Sequence, residues 1–326
     1  MAGRVSIVGW AVLVVCAVVG LVSCSGGRAP VDASGCEIDW TERDVGRLHV
    51  PQEIAVGPSW ETYLLDRAGM LWEIDIEQRV LRSAFGCRGE VIGQFGQPTN
   101  LGVAPDGAVW VTYPGEGLVV EFLGDGEVGR SLCVGRAGDQ CTGVPTDVAF
   151  EADGTMWAVD QTQSQVVSFA VPEGDGEFTA TSRVAVDGPF SLAVTPEGSL
   201  LVVGLDELAE VVDGEIGGTV ELAEVRSVEA SPDGRVLVTG GVAQFNRVTG
   251  YVREWSDGLS TGLAEPGAPD EWHEVGVGGR CVVGAPAGVA ATSGGGFVFV
   301  DLGDNAVYFA EPDCAAIHSV GNGGRR

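Results

Sequence analysis

One phrase recurs along the chain, and its period constrains the fold more than any other feature. It first appears as Pro51-Gln-Glu-Ile-Ala-Val. It returns as Pro98-Thr-Asn-Leu-Gly-Val-Ala-Pro-Asp-Gly, Pro145-Thr-Asp-Val-Ala-Phe-Glu-Ala-Asp-Gly and Pro189-Phe-Ser-Leu-Ala-Val-Thr-Pro-Glu-Gly. The last two copies are Val225-Arg-Ser-Val-Glu-Ala-Ser-Pro-Asp-Gly and Pro286-Ala-Gly-Val-Ala-Ala-Thr-Ser-Gly-Gly. The starts lie 47, 47, 44, 36 and 61 residues apart. A unit of that length holds four short strands and is too long for leucine-rich or ankyrin repeats, so it suits a propeller blade.

Each copy has the same internal logic. A short apolar stretch closes on an acidic-Gly or Gly-Gly pair, which supplies the positive φ of a tight hairpin. A second apolar run follows, as in Val109-Trp110-Val111, Met156-Trp157-Ala158-Val159 and Phe297-Val298-Phe299-Val300. Such runs are too continuous for a half-solvated strand and suit one buried between neighbouring sheets. A third segment, such as Gln165-Val166-Val167-Ser168-Phe169, extends the series, and the fourth is polar, as an outer edge should be. The expected fold is all-β, a six-bladed β-propeller of four-stranded antiparallel blades, with blade starts near 51, 98, 145, 189, 225 and 286. The long fifth interval is read as a loop inserted at about 256–285, rich in Gly, Pro, Asp and Glu. Residues Val45 to Val50 are expected to add a strand to the last blade and close the ring, within one domain spanning 36–326.

Composition narrows the partners. The 326 residues carry 46 acidic and 18 basic side chains, all of the latter arginine, for a net charge of −28. At 45% hydrophobic the chain is too apolar for intrinsic disorder. The negative charge repels phosphate backbones, so nucleic acid is not an expected partner.

The N-terminus reads as an export signal. Arg4 precedes an almost wholly apolar run from Val5 to Val22, the order of a secretory signal. A run of about 18 apolar residues is also just long enough for a transmembrane anchor. The ending Leu21-Val22-Ser23-Cys24 decides for a cleaved signal, because it resembles the lipobox of bacterial lipoproteins. That resemblance implies a signal peptide over 1–23, lipidation of Cys24, a flexible tether over 24–35, and a membrane partner through the lipid anchor. Ser25 after the cysteine implies the outer membrane if the cell is Gram-negative.

Six further cysteines suit disulfides in an exported chain: Cys36, Cys87, Cys133, Cys141, Cys281 and Cys314. Cys133 and Cys141 enclose seven residues and are paired first; Cys36 with Cys314 would reinforce ring closure, and the other connectivities stay open. No Cys-x-x-Cys occurs and His49, His273 and His318 are scattered, so a zinc site is not expected.

The repeated phrase resembles the NHL and virginiamycin B lyase-like six-bladed propellers over roughly residues 51–321. Such a motif of turn and core residues specifies fold more than activity. The lyase-like enzymes use a histidine directly after a blade-start proline; the positions here are Gln52, Thr99, Thr146, Phe190 and Ala287, with Arg226 in the fifth copy, and none is histidine. Glu271-Trp272-His273 does contain a Glu-x-His pair, placed in the inserted loop. Gluconolactonase-like propellers hold a divalent metal with Glu, Asn and Asp in the central funnel. One position further along each copy stand Glu53, Asn100 and Asp147, then Ser191, Ser227 and Gly288. Their oxygens would suit Ca²⁺, and no other cofactor is expected. Inner-strand starts are also often polar simply because they cap turns. The tryptophans off the repeat position (Trp40, Trp60, Trp72, Trp255 and Trp272) are candidates for packing or for an aromatic surface. The expected function is a lipid-anchored envelope module that binds a protein or small molecule. The rival is a divalent-metal-dependent hydrolase or lyase working in the funnel.

Overall fold

The computed structural model describes residues 50–321 apart from 68, 79, 87–96, 124–127, 138–139, 173, 175, 206, 222–224, 245–246, 256–271, 276–285, 303–305 and 312–316. The signal, the lipobox, the tether and the segment before Val50 lie outside these residues, as do Cys24, Cys36, Cys87, Cys281 and Cys314. Among the described residues no helix is long and apolar enough to cross a membrane.

Six four-stranded antiparallel sheets follow one another along the chain, spanning 51–86, 101–133, 148–185, 191–221, 225–275 and 286–321. They are called sheets 1 to 6 below. Within each, the strands pair in sequence order, so every link is a hairpin. The first strand of each sheet touches the first strand of the next, and that of sheet 6 returns to that of sheet 1. The result is a β-propeller whose inner strands surround an axis, where their free edges are short and protected by the ring.

Local chemistry explains the repetition. The turn after the first strand is the same in sheets 2 to 6. Its closing bonds run from the N–H of Ala104, Glu151, Thr195, Ser231 and Thr292 to the carbonyls of Ala108, Thr155, Ser199, Arg235 and Gly296, all at 2.8–2.9 Å. Each turn has its glycine at φ between 84° and 92° (Gly107, Gly154, Gly198, Gly234, Gly295), a conformation that costs a side chain about 1 kcal/mol or more. Second strands are fully buried, as in Val109–Tyr113, Met156–Asp160 and Leu200–Val203. Sheet packing on both faces accounts for their unbroken apolar runs. Outer strands alternate between exposed and half-buried, as in Thr179–Ala185 and Glu215–Glu221.

The tryptophans serve the core. Trp72, Trp110 and Trp157 are buried, and half-buried Trp60 packs against the cluster around Ile54 and Val298. Trp72 Nε1 donates to Asp66 Oδ2 at 3.2 Å, and Trp157 Nε1 donates to Glu151 Oε1 at 2.6 Å. Among the described residues the off-repeat Trp60 and Trp72 thus pack inward and form no aromatic platform.

One expectation needs correction. Residues 256–285 are not all inserted loop: Trp272–Val275 is the fourth strand of sheet 5, paired with Arg247–Trp255 through Trp255 opposite Trp272 and Glu254 opposite His273. His273 therefore sits on an outer edge strand, and Glu271 lies outside the described residues. The last sheet draws its four strands from Pro286–Ala291, Phe297–Asp301, Ala306–Ala310 and Ile317–Gly321. The proposed closing strand from Val45 to Val50 falls outside the described residues save for Val50. Cys133 and Cys141 are joined by a disulfide with Cα atoms 5.2 Å apart, next to a two-stranded ribbon of Arg136–Ala137 and Gln140–Cys141.

Candidate functional site in the propeller funnel

The inner strands begin with a polar column. Glu53, Asn100, Asp147, Ser191 and Ser227 are all buried, with Glu53 and Asn100 8% exposed and Asp147 and Ser227 4%. In the sixth position Gly288 leaves room for its neighbour: an added Cβ would fall on Glu53 Oε1 and lie 2.7 Å from Ile54 N. Much of this column ties backbone. Asp147 Oδ1 accepts from Val148 N at 2.7 Å and Oδ2 from Leu192 N at 2.8 Å, linking sheet 3 to sheet 4. Ser191 Oγ accepts from Val228 N at 3.2 Å, linking sheet 4 to sheet 5. Asn100 Oδ1 accepts from Leu101 N at 2.7 Å, and Glu53 Oε1 from Ile54 N at 3.1 Å.

A seventh residue belongs to the set and was missed from sequence. Glu229, two positions beyond Ser227 on the same strand, lies on the same side and reaches toward sheet 1, where Val56 N donates to its Oε1 at a long 3.5 Å. A signal for it exists in the repeat. The corresponding positions are Ala55, Gly102, Ala149, Ala193 and Ala290, so the column is small in five copies and a glutamate in the sixth.

These groups line a cavity of about 640 Å³ formed by sheets 1 to 5. It extends from Glu53, Asn100, Asp147 and Ser227 at the strand starts to Pro58, Pro105, Asp153, Glu197 and Pro232 in the turns beyond. Its acidic members are Glu53, Asp147, Glu151, Asp153, Glu197 and Glu229, and among the described residues no arginine or histidine lines it. The three deepest carboxyl groups resist ionisation. Burial, then the charge of Asp147, holds Glu53 well above the usual carboxylate range, with the Ile54 N–H opposing. Burial, then the charges of Glu53 and Asp147, does the same to Glu229 against the Val56 N–H. Burial pushes Asp147 up to about 7, although the N–H groups of Leu192 and Val148 and the Ser191 hydroxyl favour its ionised form. Three like charges in a low-dielectric funnel cannot all ionise cheaply without a counter-charge.

Among the described residues no three His, Cys, Asp or Glu side chains converge closely enough to hold a metal ion. Asp147 has both oxygens engaged by backbone N–H groups. The structure brings the expected three residues into one cavity.

No family model matches the chain, and no curated protein matches it in sequence. Solved structures do resemble it. Virginiamycin B lyase from Staphylococcus aureus superposes with a TM-score of 0.55 at 12% identity, covering 88% of each chain. A candidate 6-phosphogluconolactonase from Bacteroides uniformis gives 0.54 at 15% identity, covering 85% of this chain and 87% of its own. The Swd1 β-propeller domain of Myceliophteria thermophila gives 0.51 at 14% identity, covering 85% of this chain and 88% of its own. Differently named propellers thus share this architecture, and what the likeness shows for this chain is the propeller fold.

Proposed function

We propose that this chain is an exported, lipid-anchored β-propeller that serves as a ligand-binding module at the bacterial cell envelope, with the central funnel as its binding site. The observation that carries the binding reading is the single-sign cavity: six acidic side chains, no basic one, and polar atoms held in place by the backbone of the inner strands. Such a cleft concentrates counter-charge and pre-orients its polar groups. The positions directly after the blade-start prolines carry no histidine, and His273 lies on an outer strand. Anchoring rests on the Leu21-Val22-Ser23-Cys24 ending. Metabolic labelling with a palmitate analogue tests it: incorporation should occur in the native protein and vanish in Cys24→Ala. Labelling retained in that variant defeats the lipid anchor.

A rival enzymatic reading, a divalent-metal hydrolase or lyase in the same funnel, has one observation in its favour. Glu53 and Glu229 are electrostatically coupled carboxyl groups of raised pKa, a common property of acid–base catalysts. Melting curves with Ca²⁺, Mg²⁺ and Zn²⁺ separate the two. The binding-module reading expects no stabilisation by a metal that depends on Glu53, and a Glu53-dependent rise in melting temperature favours the enzyme.

A further inference from the structure

The funnel has two levels of negative charge separated by an apolar stretch. At the inner level are Glu53 and Asp147, and Glu229, from the register of Ala55, Ala149 and Ala193, extends its carboxyl to Val56 N beside them. At the outer level are Glu151, Asp153 and Glu197, in or beside the turns that end the inner strands. Glu151 is four residues beyond Asp147, so the levels are about 13 Å apart along an extended strand. Between them the wall is Ala55, Ala149, Ala193, Val56, Val103 and Val194.

Polar groups other than the carboxylates also face this space unsatisfied. Ser227, 4% exposed, makes no side-chain hydrogen bond among the described residues and lines the cavity. Asn100 spends its Oδ1 on Leu101 N, while its side-chain amide nitrogen has no partner among them. Glu53 and Glu229 each commit only Oε1, to Ile54 N and Val56 N. A ligand donor or acceptor in the cavity would complete the hydrogen bonding of these groups.

From this geometry we propose that the funnel binds a linear aliphatic polyamine, one ammonium group seated among Glu53, Glu229 and Ser227, the methylene chain along the alanine and valine wall, and a second ammonium at the turn-level acids. The proposal rests on the funnel being the binding site and specifies its ligand. A compact metal ion fits less well, because the carboxylates are spread over two levels and do not converge. A neutral ligand would leave the inner carboxyl groups without counter-charge. A cation favours their ionised forms, so binding releases protons and tightens as pH rises from 6 to 8. The groups that face one another here are Glu53 from sheet 1, Asn100 from sheet 2, Asp147 from sheet 3, Ser191 from sheet 4, and Ser227 and Glu229 from sheet 5, with Gly288 of sheet 6 behind Glu53. No cationic side chain competes among them.

Calorimetric titration of the full-length protein in detergent with spermine, at pH 8 and about 0.15 M salt, provides the test. One spermine per chain is expected, with affinity lower at pH 6. Glu53→Gln and Glu229→Gln should each weaken binding about tenfold or more, the loss of one charged hydrogen bond, and Ser227→Ala by a smaller factor. Glu215→Gln, on an exposed outer strand, removes the same charge outside the funnel and should change nothing. Equal weakening by Glu215→Gln and Glu53→Gln, or several spermines per chain, overturns the proposal in favour of surface counter-ion binding. Ca²⁺ binding that Glu53→Gln abolishes, with no binding of spermine, overturns the polyamine while leaving the funnel as a site. If across spermine, metals and a small-molecule set no ligand distinguishes the funnel variants from the native protein, the binding function itself fails.

Discussion

Glu121 and Glu53 are both buried glutamates on β-strands, 2% and 8% exposed, yet their carboxyl groups are driven in opposite directions. Burial raises both. At Glu121 the Arg130 side chain outweighs it: Nε donates to Oε2 at 2.8 Å, Nη2 pairs with Oε1, and the Arg130 backbone N–H adds a bond to Oε2 at 2.8 Å, so the group is held below the usual range. Arg130 is itself fixed by Pro172 O at 2.7 Å and lies 5.4 Å from the centre of the Trp110 ring. At Glu53 the nearby charge is Asp147, of the same sign, and the donor among the described residues is one backbone N–H, that of Ile54. The outer part of the propeller therefore neutralises its buried acid internally, whereas the funnel leaves its acids to protons or to a ligand. That difference separates an acid used for packing from acids held ready for binding.

Removing Arg130 should break the comparison most severely. Arg130→Leu removes the guanidinium over Trp110 and leaves Glu121 buried and unpaired, a loss of about 3 kcal/mol at neutral pH. The sign follows from the lowered group: its stabilisation is present above the unfolded carboxylate pKa and disappears as pH falls through the lower folded value. Urea denaturation should therefore show a large gap between native and variant at pH 7 that narrows toward pH 3. A gap that is constant with pH would mean that Arg130 acts through packing alone.

The contact between Gly288 and Glu53 gives a smaller effect. Gly288→Ala forces its methyl onto the Glu53 carboxyl, and overpacking of this kind costs about 1–3 kcal/mol. In a Glu53→Ala background the carboxyl clash is gone while the 2.7 Å approach to Ile54 N remains, so the cost should fall without vanishing, which a double-mutant cycle reads directly. Additive losses would show that Gly288 is needed for its backbone and not for the carboxyl beside it.

How far the sequence alone reaches is visible in these same residues. The phrase that ends in Asp106-Gly107 or Asp153-Gly154 marks a turn whose φ angles only glycine tolerates well, so strand order and hairpin topology were legible from local chemistry. Glu53, Asn100 and Asp147 share one register position, and a closed ring of like strands brings one register to one level of the funnel. Glu229 was hidden because it stands in a column otherwise filled by alanine and glycine. Comparison of that column, rather than a search for shared polar positions, would have found it. Trp272–Val275 was hidden for a different reason: a four-residue edge strand among loop-like neighbours is specified by its pairing with Trp255, which is a tertiary fact. The coupling of Glu53, Asp147 and Glu229 is likewise a product of ring closure, since they come from sheets 1, 3 and 5 and no local pattern relates them.

The gentlest change sharpens the funnel side of the comparison. Glu53→Gln is nearly isosteric and keeps an oxygen for Ile54 N, so it removes charge while retaining shape. A carboxyl whose folded pKa is raised favours folding most below its unfolded value, and that contribution is lost as pH rises through the folded one. For Asp147 the window runs from about 4 to about 7, and Glu53 and Glu229 extend the same trend. The native protein should thus lose stability between pH 5 and pH 8, opposite in sign to the Arg130–Glu121 contribution. Glu53→Gln should reduce that loss by about 1 kcal/mol at pH 8, both by deleting one titrating group and by relieving Asp147 and Glu229 of a like charge. Melting temperatures of the two proteins across this range provide the measurement. Parallel curves would show that Glu53 already has a counter-charge in the native state, and the contrast with Glu121 would then disappear.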